Sequence, residues 1–194
     1  MALFDAQSLR ARAQRTTTLT KSANAVLRES VTASAGRTSF DIFLSHSYLD
    51  SQVILGIKLA LEDMGHSVYV DWIEDRQLSR ENVTRETAAV LRNRMTQCKS
   101  LFYATSANAS NSKWMPWELG YMDGLKSKSA ILPVLLSPSS TNDYKGQEYL
   151  GIYPYINKAQ PQGGTSDVLW VHESPDTYVV YTAWLNGAKP TKRG

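Results

Sequence analysis

The chain has 194 residues, of which 42% are hydrophobic and 20% are charged, values that are typical of one globular domain with an extension. No apolar run approaches the roughly 20 residues that a membrane-spanning helix needs. The single cysteine, Cys98, excludes an internal disulfide framework and favours the cytoplasm as the location of the protein.

The formal net charge of +3 is concentrated in residues 1–39, which hold six basic and two acidic residues. The rest of the chain is close to neutral and lacks the basic surplus of a nucleic-acid-binding surface, so we expect neither nucleic acid nor a membrane as a partner. The basic segment is rich in Ser and Thr and has no long apolar core. We therefore predict a partly helical arm that packs on the domain or on a second copy, with a targeting segment as the alternative.

The first half of the chain alternates between buried strands and helical periodicity. Residues 40–46 and 67–70 are short apolar runs that predict two buried strands. Between them, apolar residues recur at helical spacing from about Ser51 to Gly65, which predicts a helix. Residues 71–82 are polar and predict a long exposed loop, and loops of that length are often functional.

The alternation continues beyond this loop. The apolar spacing of residues 83–98 predicts a helix with Cys98 on its buried face, so this cysteine is expected in the core rather than as a nucleophile. Residues 100–105 predict a third strand. The next helix is expected to have Pro116 in its first turn. The N–H groups there make no hydrogen bond within a helix, so the N–H that proline lacks is not needed.

The last third of the chain has a weaker pattern. Residues 131–136 predict a fourth strand, and Pro133 indicates that this strand lies at an edge or carries a bulge. Residues 137–164 are rich in turn formers. Residues 168–172 then predict a further strand, and residues 177–185 predict a final helix.

Strands that alternate with helices imply right-handed βαβ units and a parallel sheet covered on both faces. We therefore predict an α/β fold with about five parallel strands and helices on both sides. An N-terminal helical arm over residues 1–39 precedes a core over residues 40–136. A C-terminal strand and helix extension over residues 137–194 is expected to pack on the same domain.

Glu118 follows Trp114 and Trp117 and is expected in the first turn of the helix predicted around Pro116. The helix dipole favours a negative charge in the first turn, and the aromatic surface lowers the local dielectric around it. Such a carboxylate is suited to stabilising a cation. The alternative is a solvated glutamate that only caps its helix.

Four segments of the chain are predicted to meet at one edge of the sheet. In an open α/β sheet, ligands bind beyond the carboxyl ends of the strands. Residues 45–48, the pair Asp71 and Trp72, and residues 105–106 all follow strands, and Glu118 begins the helix after one of them. The sequence therefore predicts one pocket that contains these residues.

Other kinds of site have little support. The chain has neither a G-x-G-x-x-G motif after its first strand nor a G-x-x-x-x-G-K-[ST] motif, so a dinucleotide cofactor site or a P-loop is not expected. His46, His66 and His172 lack the spacing of metal ligands, and we expect no metal. Ser45 and His46 are adjacent on an extended segment, so their side chains point in opposite directions and do not form a nucleophile and base pair.

Three pieces of the sequence, in order, resemble a bacterial Toll/interleukin-1 receptor (TIR) domain. They are Phe-Asp-Ile-Phe-Leu-Ser-His at residues 40–46, the strand from Gly65 to Asp71 that leads into the BB loop, and Ser112-x-Trp114-x-x-x-Glu118-Leu119. The likeness runs over residues 40–136, about half of the chain. It implies a flavodoxin-like TIR fold, and the arm and the C-terminal extension lie outside it.

The resemblance also implies an activity. Enzymatic TIR proteins cleave nicotinamide from NAD, and the glutamate of their Trp-x-x-x-Glu pattern is catalytic, which maps here onto Glu118 with Trp114 as its neighbour. By the same resemblance, Ser45, His46, Asp71 and Trp72 line or cover the substrate site. NAD is then a substrate and no cofactor is expected.

The residues are compatible with this chemistry. Nicotinamide leaves a positively charged ring as a neutral molecule, so one carboxylate suffices where ordinary glycosides need two. An ionised Glu118 would stabilise the positive charge that develops on the ribose. Trp114 and Trp72 could stack on the nicotinamide or the adenine.

Three functional hypotheses follow. The first is an NAD glycohydrolase or cyclase that yields ADP-ribose or a cyclic ADP-ribose signal, in bacterial immunity of the Thoeris anti-phage type. The second is a non-catalytic TIR adaptor that acts by self-association through the BB loop. The third is a nucleoside-processing transferase, since related flavodoxin-like folds also set a carboxylate against an N-glycosidic bond.

Overall fold

The computed structural model describes residues 1–17, 21–33, 36–47, 51–70, 84–105, 112, 114–139, 143–146 and 148–193. In chain order, its elements are β1 (Phe4–Asp5), α1 (Ala6–Gln14), α2 (Ala23–Ala33), β2 (Phe40–Ser45), α3 (Ser51–Asp63), β3 (Val68–Tyr69), α4 (Arg85–Thr96), β4 (Cys98–Thr105), α5 (Trp114–Lys126), β5 (Ser129–Leu135), a 3₁₀ helix (Glu148–Ile152), β6 (Tyr155–Ala159), β7 (Val168–Ser174), β8 (Thr177–Val180), α6 (Tyr181–Leu185) and β9 (Thr191–Lys192). Within these residues, no helix has both the length and the apolar character that crossing a membrane requires.

One sheet organises the described residues, with the strand order β3-β2-β4-β5-β6-β7-β8-β9. The strands from β3 to β6 are parallel, whereas β7, β8 and β9 continue the sheet in antiparallel pairs. The predicted α/β fold with about five parallel strands is confirmed. The fifth parallel strand is β6, which lies inside the region predicted to be turns, and the strand predicted over residues 168–172 is the antiparallel β7.

Helices cover both faces of the sheet, as predicted. Successive side chains of a strand point to opposite faces, so each strand contributes to two cores. On the first face, Leu44 and Phe102 pack with residues of α1, α2, α3 and α6. On the second face, Phe43, Leu101 and Tyr103 pack with residues of α4 and α5. The two cores fix the sheet between its helical layers.

Two of the sequence-based assignments are wrong. Cys98 is the first residue of β4 rather than the last turn of a helix, because α4 ends at Thr96; it is nevertheless buried. Residues 177–180 form strand β8, and only Tyr181–Leu185 is helical. The β-branched residues Thr177, Val179 and Val180 fit a strand better than a helix, and the pairing with β7 decides the outcome.

The prediction that Pro133 marks an edge strand or a bulge is also wrong, because β5 lies between β4 and β6 and its register with β4 is regular as far as Pro133. The N–H of Ile131 donates to the carbonyl of Pro154, just before β6. Because the N–H groups of a strand point alternately to its two neighbours, the nitrogen of Pro133, two residues later, also faces the β6 side of β5. On that side the partner strand changes. Ile131 pairs with β6, whereas Val134 pairs with β1. A residue without an N–H is tolerated at this junction.

The N-terminal residues fill the gap between the diverging ends of β5 and β6. Phe4 pairs with Val134 of β5, and Ala2 forms an antiparallel bridge with Lys158 of β6. The following helix, α1, packs against α3 so closely that a Cβ on Gly56 would overlap with the carbonyl oxygen of Leu9. The division into an arm, a core and an extension stays a prediction.

The close approach at Gly56 predicts the effect of one methyl group. Gly56→Ala is expected to lower the free energy of unfolding by about 1–3 kcal/mol, because α1 must move away from α3. Gly120→Ala is the control, since Gly120 is helical and has open space around its Cβ position; it should raise stability by about 0.5–1 kcal/mol. Urea unfolding measures both, and equal stability of the two variants would contradict the packing of α1.

His66 gives the stability a dependence on pH. Its ring lies edge-on to Tyr181 with 4.9 Å between centroids, and burial lowers the pKa of His66 below 6.5 while the charge of Asp41 partly opposes the shift. The folded state therefore favours the neutral ring. The contribution of His66 to the free energy of unfolding is expected to be fully present above pH 6.5 and to be lost as the pH decreases through the lower pKa of the folded state. Thermal melts between about pH 8 and 5 measure this, and His66→Gln should show a weaker dependence than the wild type.

Candidate functional site

Glu118 is completely buried, with 0% of its surface exposed. It is the fifth residue of α5, which begins at Trp114, and the N–H of Met115 donates to the hydroxyl of Ser112 just before the helix. The prediction that Glu118 lies in the first turn is wrong. Pro116 is the third residue of α5 and so lies in the first turn as predicted, where N–H groups lack helical partners.

A short hydrogen bond joins Glu118 to the end of β2. The hydroxyl of Ser45 donates to Oε2 of Glu118 at 2.6 Å, and both side chains are fully buried. This length is typical of a hydroxyl bonded to a carboxylate. A buried carboxylate needs such partners, because its charge is otherwise poorly solvated. The alternative of a solvated capping glutamate does not agree with this geometry.

Tyr103 is a neighbour of this pair that the sequence reasoning missed. It is paired with Ser45 across β2 and β4, so the two side chains leave the same face of the sheet. Burial raises the pKa of Tyr103, and its hydrogen bond to Tyr149 and the negative charge of Glu118 raise it further. The strand pairing therefore places Tyr103 beside Ser45, and the hydrogen bond joins Tyr103 to Tyr149.

Two further tyrosines, Tyr144 and Tyr149, interact with Tyr103. Tyr144 contacts Tyr155 with 6.0 Å between ring centroids, and Tyr149 belongs to the 3₁₀ helix. The signal for Tyr103 in the sequence was its position two residues before the end of a strand, on the face opposite Phe102. No comparable signal pointed to Tyr144 or Tyr149, which lie in the region read only as turns.

Trp114 lies one helical turn before Glu118, so both side chains are on the same face of α5. Its ring is 5% exposed and makes an edge-on contact with Trp117 at 5.4 Å between centroids. Trp117 in turn stacks on Tyr121 at 5.6 Å. The aromatic surroundings predicted for Glu118 are therefore present on its own helix.

His46 follows Ser45 and is also fully buried. Its Nδ1 donates to the carbonyl oxygen of Leu44 at 2.8 Å, which holds the ring against its own strand. The other two predicted site residues, Asp71 and Trp72, lie outside the described residues, and so does Tyr48. The substrate contacts assigned to these residues stay predictions.

Taken together, the described residues bring Ser45, Trp114 and Glu118 to one place, with Tyr103 beside them. One carboxylate oxygen is held by a hydroxyl, and the surroundings are aromatic and dry. Such an arrangement can stabilise a positive charge that develops on a bound molecule. Within the described ranges, no group of three His, Cys, Asp or Glu side chains could hold a metal ion.

Comparison with known proteins decides the family. No family model matches the chain. It is 57% identical over 146 residues to the probable 3′ cyclic ADP-D-ribose synthase ThsB′ of Bacillus cereus (strain MSX-D12), covering 75% of each protein. The chain belongs to the Thoeris-type TIR proteins. It is also 40% identical over 83 residues to the putative cyclic ADP-D-ribose synthase TIR2 of Cytobacillus dafuensis, covering 42% of this chain and 22% of that TIR protein.

The hydrogen bond between Ser45 and Glu118 can be tested by a double-mutant cycle. Ser45→Ala is expected to lower the free energy of unfolding by about 1–3 kcal/mol, because a buried carboxylate loses its donor. In a Glu118→Gln background, the loss of unfolding free energy caused by Ser45→Ala should be smaller by about 1 kcal/mol, because no charge remains to be stabilised. Urea unfolding of the four proteins gives the coupling energy.

Ser100→Ala is the control for this cycle. Ser100 is buried on the other face of the sheet and bonds to Tyr181 and to the carbonyl of Asp41. Ser100→Ala should change the free energy of unfolding by the same amount whether position 118 is Glu or Gln. Equal effects of Ser45→Ala in the two backgrounds would show that the hydroxyl does not stabilise the charge.

Proposed function

We propose that this TIR protein cleaves the bond between nicotinamide and ribose in NAD and joins the ends of the remaining ADP-ribose into a cyclic product. The observation that supports this most directly is the fully buried Glu118, held by Ser45 at the carboxyl end of β2. The names of both relatives, which describe cyclic ADP-D-ribose synthases, agree with it.

The geometry suits a reaction that needs a single carboxylate. Nicotinamide departs with the bonding electron pair as a neutral molecule, so no general acid has to protonate it, in contrast to ordinary glycoside hydrolysis. Positive charge then develops on the ribose. Glu118 stabilises that charge in a dry environment, where the interaction is stronger than in water, and Ser45 fixes the orientation of the carboxylate.

The fate of the ribose cation determines the product. Capture by water gives ADP-ribose, whereas capture by the adenosine half of the same molecule gives a cyclic product. The buried aromatic residues around Glu118 limit the access of water, which favours the second outcome. We assign Trp114 to contact with the nicotinamide ribose and Ser45, His46, Asp71 and Trp72 to the lining or cover of the substrate site.

We place the reaction in the cytoplasm, where NAD is available, and propose that the cyclic product is a signal in anti-phage immunity. We also propose that copies of the chain associate through TIR–TIR contacts. Such contacts can complete a site that an isolated copy leaves unfinished, so the assay should include a high protein concentration.

Glu118→Gln tests the proposed function. With NAD as the substrate, the release of nicotinamide is expected to fall at least about 100-fold, because a neutral amide no longer stabilises the ribose cation. Glu86→Gln, at an exposed glutamate in the first turn of α4, is the control and should match the wild type. Chromatography with mass spectrometry measures nicotinamide and identifies the product.

Two results would contradict the proposal in different ways. Unchanged turnover in Glu118→Gln would show that another residue performs the reaction. Assembly of the wild type without any release of nicotinamide, even at high protein concentration, would favour a TIR adaptor without catalytic activity.

A further inference from the structure

An exposed aromatic ring lies at the edge of the proposed catalytic site. Tyr149 is 43% exposed, yet it shares a hydrogen bond with Tyr103, which is buried and pairs with Ser45 across the sheet. One end of the Tyr149 side chain is therefore fixed next to the residues around Glu118. Its ring is open to solvent, so a flat molecule bound at Glu118 can reach it.

The segment that carries Tyr149 is held in place at several points. The hydroxyl of Tyr153 donates to Asp123 of α5 at 3.3 Å, which ties the segment to the helix that carries Glu118. Gly146 and Gly151 approach so closely that a Cβ on Gly146 would lie 2.5 Å from the nitrogen of Gly151. Tyr149 is thus positioned before any substrate binds, which reduces the entropy lost on binding.

Ring closure requires both ends of the substrate to meet. In the proposed reaction the bond from the ribose carbon to nicotinamide breaks, and its electron pair leaves with nicotinamide. A hydroxyl of the adenosine half then forms a new bond to that carbon and loses its proton to the carboxylate of Glu118. The adenosine half must therefore fold back towards Glu118 at the moment when the cation forms.

We propose that Tyr149 is the residue on which the adenine ring of NAD stacks, and that this contact directs the reaction towards the cyclic product. The inference rests on the proposed function. Adenine is a flat aromatic ring that stacks readily on tyrosine. Tyr149 offers such a ring, and its hydrogen bond links it to Tyr103, which pairs with Ser45. Tyr149 is a specificity-determining residue, since it selects the nucleophile and takes no part in bond cleavage.

The experiment measures the ratio of cyclic product to ADP-ribose formed from NAD. Tyr149→Ala is expected to lower this ratio about tenfold, because the adenosine half is no longer held near the cation and water captures it. Tyr149→Phe keeps the ring that stacks but loses the hydrogen bond to Tyr103, so its ratio should lie between those of Tyr149→Ala and the wild type. Ile152→Ala is the control: Ile152 is 76% exposed on the same 3₁₀ helix and should leave both turnover and ratio unchanged.

A second measurement separates contact with adenine from a general disturbance of the site. Nicotinamide mononucleotide contains the bond that is cleaved but lacks adenine. Tyr149→Ala should therefore lower kcat/KM for NAD relative to kcat/KM for nicotinamide mononucleotide, again about tenfold. A merely structural role would lower both values equally.

The outcomes distinguish the two proposals. An unchanged product ratio in Tyr149→Ala, or an equal loss in Tyr149→Phe or Ile152→Ala, would overturn the role of Tyr149 and leave NAD cleavage intact. A wild type that forms ADP-ribose alone would also overturn it. A wild type that releases no nicotinamide would overturn the proposed function itself, and the role of Tyr149 with it.

Discussion

The hydrogen bond from Ser45 to Glu118 is the interaction on which the rest of the site depends. It joins the end of β2 to α5, two elements that are far apart in the sequence, and it lies inside a core that water does not reach. A carboxylate in such a place destabilises the fold unless it is bonded. The presence of the Glu118 carboxylate in a dry, aromatic environment is consistent with a chemical role, because buried residues that serve only stability are more often apolar.

Much of this arrangement could be predicted from local sequence patterns. The apolar runs of β2 and β4, the helical spacing of α3 and the Trp-x-x-x-Glu pattern sufficed to place Glu118 near Ser45 at one edge of a parallel sheet. Tyr103 could not be placed in the same way. Its proximity to Ser45 depends on the register between two strands, and pairing between distant strands leaves no mark on either strand alone.

The C-terminal half shows a second limit of such reasoning. Pro133 is normally a sign of an edge strand, yet β5 is flanked on both sides because two different strands share one of its edges. The strand β6 was missed because it is short and surrounded by turn formers. The same region supplies Tyr149, so the residue for which we propose a role in selecting the product lies where the sequence pattern is least informative.

The pairing of Phe4 with Val134 has a consequence for how the protein is made. The strand β1 can pair only after β5 and β6 have been synthesised, because its partners lie far along the chain at Val134 and Lys158. Closing a loop of that length is slow compared with forming local helices. During translation, β1 therefore stays unpaired until β5 and β6 have emerged, and an unpaired strand edge is prone to aggregation.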